Sequence, residues 1–174
     1  MNIVSTNTRS EIIDLSTSEG TECPSWKKYP YHTEGAVGGF LGTNPIVCGG
    51  KRYNFDDIPI EYSNECHIIR PKKAENFTKM LSKRHDAASL VIKGKTLWIS
   101  GGNDGIETLS SSEFIESERA TSLAGPDLPL ALEGHKMIEI TDDLTLLIGG
   151  SLTKTPETCS HRVFRPSKHC RFKI

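Results

Sequence analysis

The chain has almost no net charge, since 21 Lys and Arg stand against 22 Asp and Glu, leaving −1. Bulk charge therefore gives no reason to expect nucleic acid as a partner, or an anionic membrane. It also lacks a long apolar run. Stretches such as Leu97-Trp98-Ile99 break off within a few residues, far short of the ~20 that a membrane-crossing helix needs, so no membrane span is expected. No long stretch repeats with the 3.6-residue period of an amphipathic helix. The first residues, MNIVSTNTRSEIIDL, have neither the basic start nor the apolar core of a secretion signal. A mature start, a cytoplasmic protein and an incomplete chain all read this way. The expected location is extracellular if a signal lies upstream, and cytoplasmic otherwise.

Catalytic motifs are missing as well. There is no G-x-S-x-G elbow, no phosphate-binding loop, no G-x-G-x-x-G ahead of a helix and no H-E-x-x-H. No enzyme activity, cofactor or metal is expected. The nearest metal pattern is Cys159-x-His161 with His169-Cys170, whose spacing fits no usual zinc module. Cysteine is sparse for a disulfide scaffold: Cys23, Cys48, Cys66, Cys159 and Cys170 make an odd five, so at least one has no partner within the chain. Asn76-Phe77-Thr78 is a glycosylation sequon, meaningful only if the chain is secreted.

Glycine, by contrast, is plentiful, and it is placed in a pattern. Ile46-Val47-Cys48, Leu97-Trp98-Ile99-Ser100 and Leu146-Leu147-Ile148 each end on a glycine pair: Gly49-Gly50, Gly101-Gly102 and Gly149-Gly150. Each pair closes the second of two β-rich runs joined by a short turn: 36–41 with 45–48, 87–92 with 96–100, and 136–140 with 144–148. A polar stretch follows, and then another strand candidate; Ser112-Glu113-Phe114-Ile115-Glu116 mirrors Ser10-Glu11-Ile12-Ile13-Asp14. The repeating unit is four strands over roughly fifty residues.

This pattern resembles the kelch repeat, in which each four-stranded unit is one blade of a β-propeller. Beyond the glycine pairs, Trp26 fits the fourth-strand tryptophan, with Phe77 as a substitute in the next unit. Phe114 and Tyr62 fit the third-strand aromatic, and Arg84 opens a first strand. The resemblance spans 9–150 and also suggests the divergent kelch proteins of arthropods. It implies an all-β fold of antiparallel four-stranded blades. About three blades are expected, hence an incomplete propeller: a partial blade 9–30, blades 31–82 and 83–130, and a partial blade 131–158. An irregular basic tail, 159–174, would follow. The glycines would sit where backbones pass closely, and Trp26 and Trp98 would pack the core. Cys48 and Cys66, on neighbouring strands of one blade, are the expected disulfide. His85 and His135 are expected at equivalent points of successive first strands.

The resemblance further implies a protein-interaction module. Kelch propellers bind partners on the face formed by the loops joining strands two to three and four to one. Carried onto this chain, the first class of loop is 51–57, 103–108 and 151–157; the second is 29–34, 71–84 and 125–134. The expected contact residues are Lys51, Arg52, Asp56, Asp57, Asn103, Asp104, Lys72, Lys73 and Arg84. The partners would be other proteins, with self-association through open blade faces. A fragment of a carbohydrate-active or oxidative propeller enzyme, or a non-functional truncated product, are the alternatives.

Overall fold

The computed structural model describes residues 32–54, 56, 58–70, 73–152 and 162–164. Residues 1–31 lie outside them, and with them the first partial blade, Cys23 and Trp26. So do Asp57, Lys72 and the Cys159, His161, His169, Cys170 pattern. Every regular element among the described residues is a β-strand. In chain order these are β1 (His32–Glu34), β2 (Val37–Leu41), β3 (Asn44–Cys48), β4 (Lys51–Tyr53), β5 (Pro59–Tyr62), β6 (Glu65–Ile69) and β7 (Ala74–Lys79). Then come β8 (Ala88–Ile92), β9 (Thr96–Ser100), β10 (Ser112–Glu116), β11 (Thr121–Ala124), β12 (Lys136–Thr141), β13 (Leu144–Ile148) and β14 (Arg162–Phe164).

The fold is all-β and propeller-like, with no closed barrel among the described residues. Two blades are complete antiparallel meanders, β2-β3-β6-β7 and β8-β9-β10-β11; a third sheet runs β12-β13-β14. The turns joining first and second strands carry Gly42, Gly94 and the Asp142-Asp143 pair, as short β-turns favour. Strand β14 falls where an irregular tail was expected. It pairs with β13, Leu147 opposite Arg162 and Thr145 opposite Phe164, so the third sheet continues past residue 158.

The first strands stand side by side: β2 packs on β8, and β8 on β12. Burial follows from this stacking. The sequence Thr96-Leu97-Trp98-Ile99-Ser100 is buried almost throughout, because the middle blade is covered on both faces. Leu97 and Ile99 join Ile46, Cys48, Cys66, Met80 and Ile115 in one apolar cluster. Trp98 turns the other way, joining Leu128, Leu132, Met137 and Leu147, with its ring 5.9 Å from Phe114. Each cluster is therefore shared between two blades. Phe77 lies in the outer strand β7 and packs on the first cluster. Tyr62 is not a third-strand residue. It ends β5, and the third strand is β6, where Ile68 holds the position of Phe114.

The first two glycine pairs make the seams between blades. All six residues of the three pairs have positive φ, from 60° to 95°, where side chains are strained. The carbonyl of Arg84, from the next blade's approach, accepts from the Gly50 N–H at 2.8 Å; that of Leu132 accepts from Gly102 at 2.8 Å. A Cβ on Gly49 would lie 2.4 Å from the Arg84 oxygen, and one on Gly101 would lie 2.3 Å from the Leu132 oxygen. Only glycine lets the incoming chain approach so closely.

Cys48 and Cys66 occupy directly opposed positions of β3 and β6 and form a disulfide. In the next blade the same two positions hold Ser100 and Ser112.

Candidate interaction face

The meander of each blade sends two classes of connection to one end of the sheets: second strand to third, and fourth strand to the next first. Backbone pairing ties the two classes together there. In the first blade β1 pairs with β4, and β4 with β5, so the connection from β3 to β6 is itself a raised hairpin. In the second, His85 bridges Asn103, and Asn103 bridges Thr108; in the third, Glu133 bridges Ser151. The sequence signal for the hairpin is Lys51-Arg52-Tyr53 and Pro59-Ile60-Glu61-Tyr62 around a turn of Asn and Asp, where the repeat pattern alone predicts a loop over 51–57 and a third-strand aromatic at Tyr62.

The hairpin carries a row of rings across the face. His32 lies 5.3 Å from Tyr53, and Tyr62 stacks on His85 at 5.2 Å. The Lys51 ammonium sits 5.3 Å over the Tyr53 ring and 6.0 Å over that of Tyr62, a cation–π arrangement. Tyr53 donates to Glu34 at 2.5 Å; this bond raises the Tyr53 pKa, and the bond with Tyr53 raises that of Lys51. The Asn54 side chain closes the tip by accepting from the N–H groups of Asp56 and Ile58, each at 2.9 Å.

Large apolar side chains stand in solvent beside this row. Ile58 is 56% exposed, Ile60 61% and Ile106 92%. Ile60 is the extra residue of a bulge, because Arg52 faces Glu61 while Tyr53 faces Pro59; such bulges re-aim side chains. Gly105 approaches the face of Tyr62 so closely that its Cβ would lie 2.4 Å from the ring, which brings the Ile106 loop up to the hairpin. The Asp104 carboxylate accepts from the N–H groups of Ile106 and Glu107, each at 2.8 Å, and the Glu107 bond foremost holds its pKa low.

Toward the blade axis, Gly35, Asp86 and Gly134 are equivalent residues with φ of 61°, 51° and 69°. Their backbones form a relay: the Asp86 N–H donates to the Gly35 carbonyl at 2.8 Å, and the Gly134 N–H to the Asp86 carbonyl at 2.7 Å. They border a cavity of about 340 Å³ lined also by Ala87, Ser89 and Met137. Asp86 holds a left-handed conformation where the other blades use glycine, and its exposed carboxylate pairs with His85 Nδ1 at 2.8 Å.

The expected contact residues separate into three groups. Lys51, Asp56, Asn103 and Asp104 lie on the loop face. Arg52 and Arg84 belong to its approach but are buried. Arg52, 3% exposed, bonds Glu65 at 2.6 Å and Glu61 at 3.2 Å. Arg84, 2% exposed, pairs with Glu113 at 2.8 Å and donates to the carbonyls of Gly101 and Ser111. Glu113 also accepts from Leu81 N–H at 2.7 Å and from the Ser122 hydroxyl. A bare guanidinium would be costly to bury, and this ligation makes it tolerable. Lys73 is at the opposite end. The turn from β6 to β7 joins third strand to fourth, and Lys73 pairs there with Glu75 at 2.8 Å.

The two histidines are not equivalent. His135 aligns with Ala87, and His85 with Glu133, two residues earlier. His135 is fully buried; its Nε2 lies 2.9 Å from the Ser100 hydroxyl across the seam between blades. Burial pushes its pKa down to about 4, so the ring is neutral at ordinary pH.

The chain matches no protein-family model, and no curated protein matches it in sequence.

Proposed function

We propose that the chain is a non-catalytic interaction module of kelch type, which binds a protein partner through the loop face. The observation that carries this reading is the placement of Ile58, Ile60 and Ile106, exposed beside an aromatic row, on loops held by backbone pairing. Loops set by a rigid scaffold are where binding residues concentrate, and exposed apolar side chains gathered beside polar ones mark contact surfaces. The buried polar pairs Arg84–Glu113 and Ser100–His135 are sealed from solvent, which supports a role in holding the blades rather than in chemistry.

The test places a negative charge on exposed isoleucines. Ile60→Glu and Ile106→Glu change the loop face; Ile138→Glu, on β12 and itself half exposed, is the control. A partner captured by the parent chain is purified and titrated against all three. Binding lost in the first two and kept in the third supports the reading. Equal binding by all three contradicts it.

A further inference from the structure

We propose that the chain matures in an oxidising secretory compartment and carries an N-linked glycan on Asn76. Two features of one blade point the same way. The sequon Asn76-Phe77-Thr78 lies in β7, the outer edge strand of the sheet β2-β3-β6-β7. Asn76 is exposed, while the intervening Phe77 turns inward to pack on the core. The ladder explains this division. Thr78 faces Cys66 and Asn76 faces His67, which leaves Phe77 as the extra residue of a bulge. No other Asn-x-Ser/Thr occurs in the chain.

The second feature is the disulfide. Cys48 and Cys66 are fully buried and bonded, and Cys66 stands directly opposite the sequon threonine. Disulfides persist in secretory compartments and are rare in the reducing cytosol. The compartment that oxidises these thiols is also the one that supplies oligosaccharide on a polyprenyl pyrophosphate. In the transfer, Asn76 Nδ2 bonds the anomeric carbon of the sugar and gives up a proton. The bond from that carbon to the pyrophosphate oxygen breaks, and polyprenyl pyrophosphate leaves with the electron pair. An open edge strand invites pairing with another chain; a glycan in the middle of β7 shields that edge. Asn76 is on the blade's flank, so the loop face stays free.

The test takes the chain from the cells that make it. Amidase-type deglycosylation should increase its gel mobility in one step and convert Asn76 to Asp in the recovered peptide. Non-reduced digests should show the Cys48–Cys66 peptide. In a secreting eukaryotic host, Asn76→Gln should migrate like the deglycosylated parent, and Thr78→Ser should keep the shift. The disulfide peptide reports folding in each variant, independently of the sugar. An unmodified Asn76 in the native chain, or free thiols at Cys48 and Cys66, would overturn the proposal.

Discussion

Replacing Arg84 with methionine removes the cation from a pair whose side chains are 1% and 0% exposed. The Glu113 carboxylate would remain in the seam with only Leu81 N–H and the Ser122 hydroxyl. The carbonyls of Gly101 and Ser111 would lose their guanidinium donor. Breaking a buried pair from one side costs about 3–5 kcal/mol. That is a large part of the ~5–15 kcal/mol that holds an ordinary domain. In urea, with a slope of about 1–3 kcal/mol per M, the unfolding midpoint should fall by about 2 M. Tryptophan fluorescence reads it, since Trp98 is fully buried in the neighbouring strand. The double variant Arg84→Met, Glu113→Leu exchanges both charges for apolar volume and should recover more than half of the loss. A single-variant loss below about 1 kcal/mol, or a double variant as weak as the sum of its singles, would refute the reasoning.

Three further outcomes follow from the same geometry. Gly101→Ala should destabilise strongly, because its Cβ would meet the Leu132 carbonyl at 2.3 Å. Gly94→Ala, with a similar φ but open space, should cost only about 1–2 kcal/mol; equal thermal melts would contradict the seam. The folded pKa of His135 is about 4 and its unfolded value about 6.5. Its neutral form therefore stabilises the fold fully above about pH 6.5. That stability, about 3 kcal/mol, drains away as pH falls toward 4. Buried His67, also lowered by desolvation, acts in the same direction. His135→Ala should flatten the acid limb of stability against pH without abolishing it, and an unchanged limb would count against the assignment. Finally, reducing Cys48–Cys66, which are 18 residues apart, should cost about 3 kcal/mol, measured as the difference between urea midpoints with and without reductant.

The blades were legible because their cues are local. Each hairpin pairs apolar runs across a turn of Gly, Asn or Asp, and the first two glycine pairs each mark a close approach of the following blade. The pairing of Cys48 with Cys66 was legible for a similar reason, once strand order was known. The outer strand β7 was harder. Ala74-Glu75-Asn76-Phe77-Thr78-Lys79 is half exposed and mostly polar, a composition that reads as loop around Phe77, and that reading puts Lys73 at the wrong end of the blade. In the sequence Arg84 looks like a surface charge, because its partner Glu113 lies far along the chain in β10, the third strand of the blade that Arg84 leads into, and no local pattern links them. His135 lies two residues out of step with His85, and only the backbone bridges His85–Asn103 and Glu133–Ser151 reveal that register. Most of the loop face was hidden for a related reason. The pairing of β1 with β4, and of His85 with Asn103, joins segments distant in sequence, and the aromatic row exists only after they meet.

The most direct measurement is a photocrosslinking scan in the producing cells. A crosslinking amino acid is placed singly at Ile58, Ile60 and Ile106 on the loop face, and at Lys73, Gly94 and Asp142 at the opposite end. Crosslinks to one and the same partner from the first three positions, and none from the last three, are expected. Crosslinks to that partner from the opposite end alone would contradict binding through the loop face.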